Sequence, residues 1–229
     1  MPQLLNDQVQ RQVRSVFKDL QNPVQVLFFG RQTDCEYCDD TRQLLEEVTA
    51  LSDQLGLTVY DLDADAAVAG QYQIDKAPGF AILAREGEKL TDFGIRIYGI
   101  PSGHEFTTLV NDLVMVSARS SGLSEETIQY LREIKSPLHL QVFTTPTCPY
   151  CPRAVVLAHQ LAMENPLITA EMVESYEFPD LSERYAVSGV PQTTINKGVG
   201  TVVGAVPESY LLDEIKRVLA ELASAEDRR

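Results

Sequence analysis

The sequence predicts an α/β protein made of two copies of one unit, each with a central mixed sheet and helices on both faces. Two observations support this prediction. A set of landmark residues recurs at one fixed separation along the 229 residues, and both halves alternate short apolar runs with helical stretches in the same order. Because a chain of this length accommodates one large domain or two small ones, we expect one unit at residues 1–119 and another at residues 120–229.

The landmarks are a Cys-x-x-Cys pair and a downstream proline in each half. Corresponding cysteines are 113 residues apart, and the two prolines have the same separation. Each proline lies 43 residues after the first cysteine of its own half. These residues are Cys35, Cys38 and Pro78 in the first half and Cys148, Cys151 and Pro191 in the second. Agreement at three landmarks indicates a tandem duplication, and we expect the strands of the two units to be able to continue into one larger sheet.

Each predicted element of the first half has its own local signal. Leu5, Val9, Val13 and Val16 recur at helical spacing, and an apolar run follows them at residues 24–29. Helical and strand patterns then alternate up to a closing helix. The predicted elements are helix 5–20, strand 24–29, helix 38–55, strand 58–62, helix 66–72, hairpin strands 80–83 and 93–98, and helix 105–116.

The second half repeats this order, from a helix at residues 125–134 and a strand at 138–143 to a closing helix at 210–222. Its last hairpin is about seven residues shorter, because a tight turn at residues 197–198 replaces the longer loop at 85–88. Surface hairpins tolerate such changes in length. The two halves therefore share one order of elements and differ mainly in one loop.

The charge balance restricts the partners that we expect. The chain has a formal net charge of −14, so phosphate backbones and anionic lipids repel it. We therefore expect neither nucleic-acid nor membrane partners. No apolar run approaches the ~18 residues of a membrane span, and the first residues lack the pattern of a secretory signal. These features predict a cytoplasmic protein.

The spacing of the cysteines suits thiol–disulfide exchange. In each pair the first cysteine lies where a strand is followed by a predicted helix, and a helix N-terminus favours a thiolate over a thiol. The second cysteine, three residues later, can attack the mixed disulfide that the first one forms. Pro149 and Pro152 fit the start of a helix, where a missing N–H costs little. We expect the downstream prolines to be cis and to lie beside the cysteine pairs.

Two segments of the second half resemble a known family. Cys148-Pro149-Tyr150-Cys151 is the glutaredoxin-type active-site sequence, and Gly189-Val190-Pro191-Gln192-Thr193 resembles the cis-proline segment of the thioredoxin fold. Two such units in tandem, each with its own cysteine pair, resemble the glutaredoxin-like protein disulfide oxidoreductases of thermophilic bacteria and archaea. The resemblance covers nearly the whole chain. It implies two thioredoxin-fold units that pack together in an enzyme that reduces, forms or isomerises protein disulfides.

The resemblance also implies which residues carry the function. The implied catalytic residues are Cys35, Cys38, Cys148 and Cys151, and the implied substrate-binding residues are Ala77, Pro78, Val190, Pro191, Tyr37 and Tyr150. The two tyrosines occupy matched positions inside the cysteine motifs and are expected at the rim of each site. The implied partners are protein disulfides and a thioredoxin-reductase-like flavoprotein as electron donor. No metal and no cofactor are expected.

Four alternatives bear on the same residues. A structural zinc site is disfavoured because 109 residues separate the two pairs. Tandem thioredoxin-fold units also form the N-terminal part of flavoprotein peroxiredoxin reductases, so the chain could relay electrons from a flavoprotein to a peroxiredoxin. Those modules usually keep one cysteine pair, and no glycine-rich dinucleotide fingerprint occurs here. A chaperone with structural cysteines and a glutathione-dependent glutaredoxin are the remaining alternatives.

The two sites differ in their surroundings. Four acidic residues lie within five positions of Cys35, whereas none lies within that range of Cys148, and Arg153 follows the second pair. The four are Asp34, Glu36, Asp39 and Asp40. Nearby negative charge raises the pKa of a thiol, so Cys148 is expected to be the stronger nucleophile. As an alternative, the acidic site serves as an electron relay or as a site for basic substrates. In thioredoxins an acid buried behind the cysteines serves as proton acceptor. The position six residues before each first cysteine holds Phe29 or Val142, neither of which is acidic, so the sequence does not identify the proton acceptor.

Overall fold

The computed structural model describes residues 3–226 of the chain. Within that range all eight strands form a single mixed sheet, with helices before, between and after them. The first half contains α1 (Asp7–Val16) followed by a 3-10 turn (Phe17–Asp19), β1 (Val24–Gly30), α2 (Cys38–Thr49), β2 (Leu55–Asp61), α3 (Ala66–Gln71), β3 (Gly79–Glu86), β4 (Lys89–Tyr98) and α4 (Glu105–Ala118). The second half contains α5 (Glu125–Glu133), β5 (Leu138–Thr144), α6 (Cys151–Met163), β6 (Ile168–Glu174), α7 (Pro179–Arg184), β7 (Gln192–Ile195), β8 (Gly200–Val203) and α8 (Glu208–Glu226).

The order of elements is the predicted one, but the boundary between α2 and β2 lies earlier than expected. The helix ends at Thr49, whose hydroxyl donates to the carbonyl of Leu45 at 2.8 Å, and a turn follows. The next strand begins at Leu55, which is the parallel partner of Val24. Pairing with the buried strand β1 therefore places residues 55–57 in the sheet, where the pattern had predicted the end of a helix and a loop.

The sheet has the strand order β2-β1-β3-β4-β6-β5-β7-β8. Within each half one outer strand pairs parallel to the central strand and the hairpin pairs antiparallel. The halves meet where β4 pairs with β6 in parallel, from Ile95 opposite Ala170 to Tyr98 opposite Val173. The expected continuation into one larger sheet is therefore confirmed, and the junction pairs two strands whose edges would otherwise be open.

The core covers both faces of this sheet. On one face, buried side chains of α2 and α4 pack beside those of α6 and α8, so residues of both halves form one cluster. The other face holds a smaller cluster that includes Phe29 and Tyr98 of the first half and Phe143 of the second. No helix among residues 3–226 is long and apolar enough to cross a membrane. The predicted division at residues 119 and 120 falls in the segment between α4 and α5 and stays a prediction.

Candidate redox sites

The first cysteine pair lies where β1 is followed by α2. Cys35 and Cys38 form a disulfide with their Cα atoms 5.5 Å apart, and Cys38 is the first residue of the helix. Cys35 is partly exposed, whereas Cys38 is buried. The backbone N–H of Arg31 donates to Sγ of Cys38 at 3.2 Å. The outer sulfur can therefore meet a substrate, while the inner one has a helix N-terminus and an N–H donor to stabilise its thiolate.

The second pair has the same position in its own half. Cys148 and Cys151 form a disulfide with their Cα atoms also 5.5 Å apart, and Cys151 begins α6. Pro152 lies in the first turn of that helix, as predicted, and the side chain of Tyr150 is exposed. The four sulfurs thus form two separate disulfides and not one four-sulfur site. Each arrangement can exchange a disulfide for two thiols.

Both downstream prolines are in cis peptide bonds. The bonds are Ala77–Pro78 and Val190–Pro191, so the predicted conformation is confirmed at both positions. Pro78 directly precedes β3 and Pro191 directly precedes β7. These two strands are the neighbours of β1 and β5, from which the cysteine loops leave. The role of these residues in substrate binding stays a prediction.

The main chain holds the two prolines in the same way. The carbonyl oxygen of Pro78 accepts the N–H of Gly99 at 2.9 Å, and that of Pro191 accepts the N–H of Gly204 at 2.8 Å. Both glycines have φ of 92°, a conformation that favours glycine. The shortened hairpin of the second half has therefore kept the hydrogen bond beside its proline.

A groove opens beside Cys35 at the junction of the two halves. It has a volume of about 390 Å³ and is bordered in the first half by Cys35, Tyr37, Pro78 and Ile100. Pro146, Glu174, Tyr176 and Glu177 of the second half border it from the other side. The pairing of β4 with β6 brings these segments together, because the groove lies where both strands end. The first site is thus built from both halves of the chain.

Two carboxyl groups of this groove have perturbed acidity. Burial, with the charges of Glu174 and Glu36 adding to it, raises the pKa of Glu177 to about 7. Burial also raises the pKa of Glu174. The charge of Glu36 is the main cause that raises the pKa of Tyr37, and Glu177 and Glu174 contribute. The charge of Glu36 in the first half therefore interacts with those of Glu174 and Glu177 in the second half.

Another buried acid lies near the second site. Glu105 begins α4, and burial raises its pKa to about 7 against the hydrogen bond from Thr108. The preceding residue, His104, donates its N–H to the carbonyl of Pro146 at 3.0 Å, two residues before Cys148. Like Glu174 and Glu177, Glu105 is absent from the residues predicted from the sequence. Glu174 and Glu177 reach the groove through the pairing of β4 with β6, for which the sequence has no local signal.

Comparisons with known proteins agree with this architecture. The thioredoxin domain family matches residues 138–218. A protein disulfide oxidoreductase from Aeropyrum pernix is 33% identical, with a TM-score of 0.83, over 91% of this chain and 90% of that one. The fold and the paired cysteines define a thiol–disulfide oxidoreductase of the thioredoxin fold, a redox enzyme that acts on disulfides. At this identity and coverage, the chain belongs to the family of protein disulfide oxidoreductases.

Relatives of a second kind share the tandem architecture. The N-terminal domain of the alkylhydroperoxide reductase AhpF from Enterococcus faecalis is 26% identical, with a TM-score of 0.83, over 91% of this chain and 98% of that one. The AhpF component of alkyl hydroperoxide reductase from Staphylococcus aureus is 25% identical over 84% of this chain. The chain spans only 34% of the length of that relative.

Proposed function

We propose that the protein reduces, forms or isomerises protein disulfides, with both cysteine pairs active. One observation carries this proposal: each half places a Cys-x-x-Cys disulfide at a helix N-terminus beside a strand that begins after a cis-proline. In this proposal residues 1–119 and 120–229 are the two units, and each contains one complete cysteine motif. The cytoplasmic location predicted from the sequence belongs to the same proposal.

The chemistry needs only the two thiols of one pair and a substrate disulfide. The thiolate of Cys35 or Cys148 attacks one substrate sulfur, forms a mixed disulfide and releases the other substrate sulfur as a thiolate, which takes up a proton. The thiolate of Cys38 or Cys151 then attacks the first cysteine and releases the second substrate thiolate. Two protein thiols are oxidised to a disulfide, and one substrate disulfide is reduced to two thiols. The reverse sequence forms a disulfide in the substrate.

The residues beside each cis-proline have a proposed role in holding the substrate. Proline has no N–H to direct at the sulfur, and the backbone of Ala77 or Val190 can pair with an extended polypeptide. Tyr37 and Tyr150 lie within the motifs and border the approach to the cysteines. Replacement of either tyrosine by alanine is expected to affect KM more than kcat.

Reduction of insulin by dithiothreitol tests the activity. The wild type is compared with two double variants, Cys35→Ser/Cys38→Ser and Cys148→Ser/Cys151→Ser. We expect each double variant to keep part of the activity. A variant in which all four cysteines are replaced by serine should lose it. Full activity without any cysteine would favour a chaperone and contradict the proposal.

A second candidate function is electron relay to a peroxiredoxin. The similarity to the alkyl hydroperoxide reductase AhpF supports it, because this chain matches the tandem N-terminal domain of such a protein. In this role a thioredoxin-reductase-like flavoprotein would reduce one pair, and the other pair would reduce the peroxidase. Oxidation of NADPH in a mixture of these three proteins and peroxide, repeated with each double variant, tests the relay. Loss of turnover in both variants is expected for a relay that uses both pairs.

A further inference from the structure

The charged side chains that border the groove beside Cys35 are all acidic. Four carboxyl groups border it, and no Lys or Arg side chain from the described part of the chain does so. Asp34 and Glu36 come from the cysteine loop, and Glu174 and Glu177 come from the end of β6 and the segment after it. A concave surface with charge of one sign attracts ligands of the opposite sign.

Two of these carboxyl groups have oxygens that lack a donor. Only 2% of Glu174 is exposed, and its Oε2 accepts the N–H of Glu177 at 2.7 Å. Its Oε1 is buried without a hydrogen-bond partner among residues 3–226. Oε1 of Glu177 accepts the N–H of Ile100 at 2.7 Å, and its Oε2 likewise has no partner within that range. Because one oxygen of each carboxylate lacks a donor in this part of the chain, the negative charge of the group is incompletely compensated, so a cationic ligand in the groove would gain binding free energy.

The acidity of these groups points to the same kind of ligand. The raised pKa values of Glu174 and Glu177 mean that their ionised forms are poorly stabilised in the free protein. A bound cation would stabilise both carboxylates and bring their pKa values down. The charge at the groove therefore favours a positively charged occupant that also supplies hydrogen bonds.

Exposed aromatic rings complete the groove. Tyr176 is 73% exposed and Tyr37 is 37% exposed, and both border the opening that contains Cys35. The aliphatic stems of Lys and Arg pack on such rings while their charged heads reach carboxylates, and a guanidinium can also stack on a ring and donate from its edge. Arg suits this combination especially, because its guanidinium donates several N–H groups in a plane.

We propose that this groove binds a basic segment of the substrate polypeptide, so that the Cys35 site acts preferentially on disulfides flanked by Lys or Arg. The inference rests on the proposed function of the cysteine pairs. We do not expect the other site to share the preference, because the groove bordered by Pro149, Pro152 and Arg153 contains one cation and one carboxylate, Glu208, instead of four carboxylates. The two sites of one chain thus divide protein disulfides by the charge around the cysteines.

The test uses full-length proteins with one site each and two disulfide-linked fluorogenic peptides. The peptides are identical except that Lys or Glu residues flank the cysteine. The Cys148→Ser/Cys151→Ser protein keeps the Cys35 site, and the Cys35→Ser/Cys38→Ser protein keeps the other one. We expect kcat/KM at the Cys35 site to favour the Lys peptide by about tenfold or more, mainly through KM, as expected when charged hydrogen bonds are formed. The Cys148 site is expected to show less than a threefold difference, since its surroundings lack the four carboxyl groups.

Variants of the groove then separate local from overall charge. Glu174→Gln/Glu177→Gln, made in the protein that keeps the Cys35 site, should lose most of the preference. The matched control, Asp180→Asn/Glu183→Gln, removes two exposed carboxylates of α7 outside the groove and should keep it. A second measurement needs no groove variant: added salt should reduce kcat/KM for the Lys peptide at the Cys35 site more than for the Glu peptide.

The outcomes distinguish the inference from the proposed function. Equal kcat/KM for the two peptides at the Cys35 site would overturn the inference and leave the proposed function intact. The inference would also fail if Asp180→Asn/Glu183→Gln removed the preference as fully as the groove variant. If neither single-site protein reduced either peptide, the proposed function itself would be wrong.

Discussion

Nδ1 of His159 lies 2.8 Å from Oδ2 of Asp112, and neither side chain has any exposed area. Asp112 belongs to α4 and His159 to α6, the helix that begins at Cys151. The contact therefore joins the first half of the chain to the element that positions the second cysteine pair. His159 has no partner motif in the sequence, which predicts a structural or solvated side chain, and the structure buries it completely.

Removal of Asp112 should destabilise the fold strongly. Asp112→Ala leaves the buried imidazole of His159 without its partner, and loss of one member of a buried pair costs about 3 kcal/mol. Urea denaturation measures the free energy of unfolding, with the exposed Asp213→Ala as the control, for which we expect a change below about 0.5 kcal/mol. A loss of less than about 1 kcal/mol in Asp112→Ala would mean that the contact contributes little.

Replacement of Gly94, at the junction of the two halves, should lower the free energy of unfolding more than replacement of another glycine with positive φ. This residue of β4 has φ of 76°, and a Cβ atom there would collide with the carbonyl oxygen of Ile168. Gly87, in the turn between β3 and β4, has φ of 62° and open space around the same position. Gly87→Ala should therefore show only the backbone strain, about 1 kcal/mol. Gly94→Ala should lose about 3 kcal/mol, because β6 must also move.

The two alanine variants are compared by urea denaturation and by hydrogen exchange. Exchange of amides in β4 and β6 should increase in Gly94→Ala and stay unchanged in Gly87→Ala. Equal destabilisation by the two substitutions would contradict the prediction, because it would mean that the collision with Ile168 adds nothing to the backbone strain.

Glu105 should make the stability of the protein depend on pH. Its pKa is raised to about 7 in the folded state by burial, from an ordinary value of 4.5. Between these values the folded state binds more protons than the unfolded state, so the free energy of unfolding falls as pH rises from about 4.5 to 7. Glu105→Gln removes this titration and should be more stable than the wild type by about 2 kcal/mol at pH 8, and nearly equal to it at pH 4.5.

Urea denaturation at several pH values measures this difference. Glu126→Gln, an exposed residue of α5, is the control and should show no comparable change with pH. A constant difference between Glu105→Gln and the wild type from pH 4.5 to 8 would contradict the raised pKa.

Local patterns predicted most of the fold for identifiable reasons. Helices such as α4 and strands such as β1 have periodicities of their own, and the constant separation of Cys35 from Cys148 identified the repeat. The boundary of α2 was misplaced because Leu55 satisfies a helical pattern equally well, and only its pairing with Val24 decides the outcome. Tertiary pairing of this kind overrides a short local pattern.

The chemistry of the cysteines was predictable, but much of their surroundings was not. The cysteines and cis-prolines belong to a motif that the sequence displays directly. Glu177 reaches the Cys35 groove only because β4 pairs with β6, and nothing in the sequence specifies which edges of the two units meet. Acidic residues that one half contributes to the site of the other therefore cannot be predicted from the sequence around each cysteine motif.

The thiols of Cys35 and Cys148 should differ in pKa. The structure adds Glu174 and Glu177 to the acidic residues that surround Cys35 in the sequence, so its thiolate is opposed from both halves of the chain. Cys148 has no such neighbours in the sequence and is followed by Arg153. We therefore expect a lower pKa for the Cys148 thiol and a larger loss of reductase activity in Cys148→Ser than in Cys35→Ser.

Iodoacetamide labelling of reduced single-cysteine proteins from pH 4 to 9 measures each pKa. The midpoint of the rate profile reports the pKa, whereas its plateau reports access to the sulfur. This separation matters because Cys35 is partly exposed and Cys148 is buried in the disulfide form. Glu174→Gln/Glu177→Gln should lower the midpoint of Cys35 and leave that of Cys148 unchanged. A lower midpoint at Cys35 than at Cys148 in the unmodified surroundings would contradict the prediction, because both pairs lie at a helix N-terminus and only the local charges were expected to separate them.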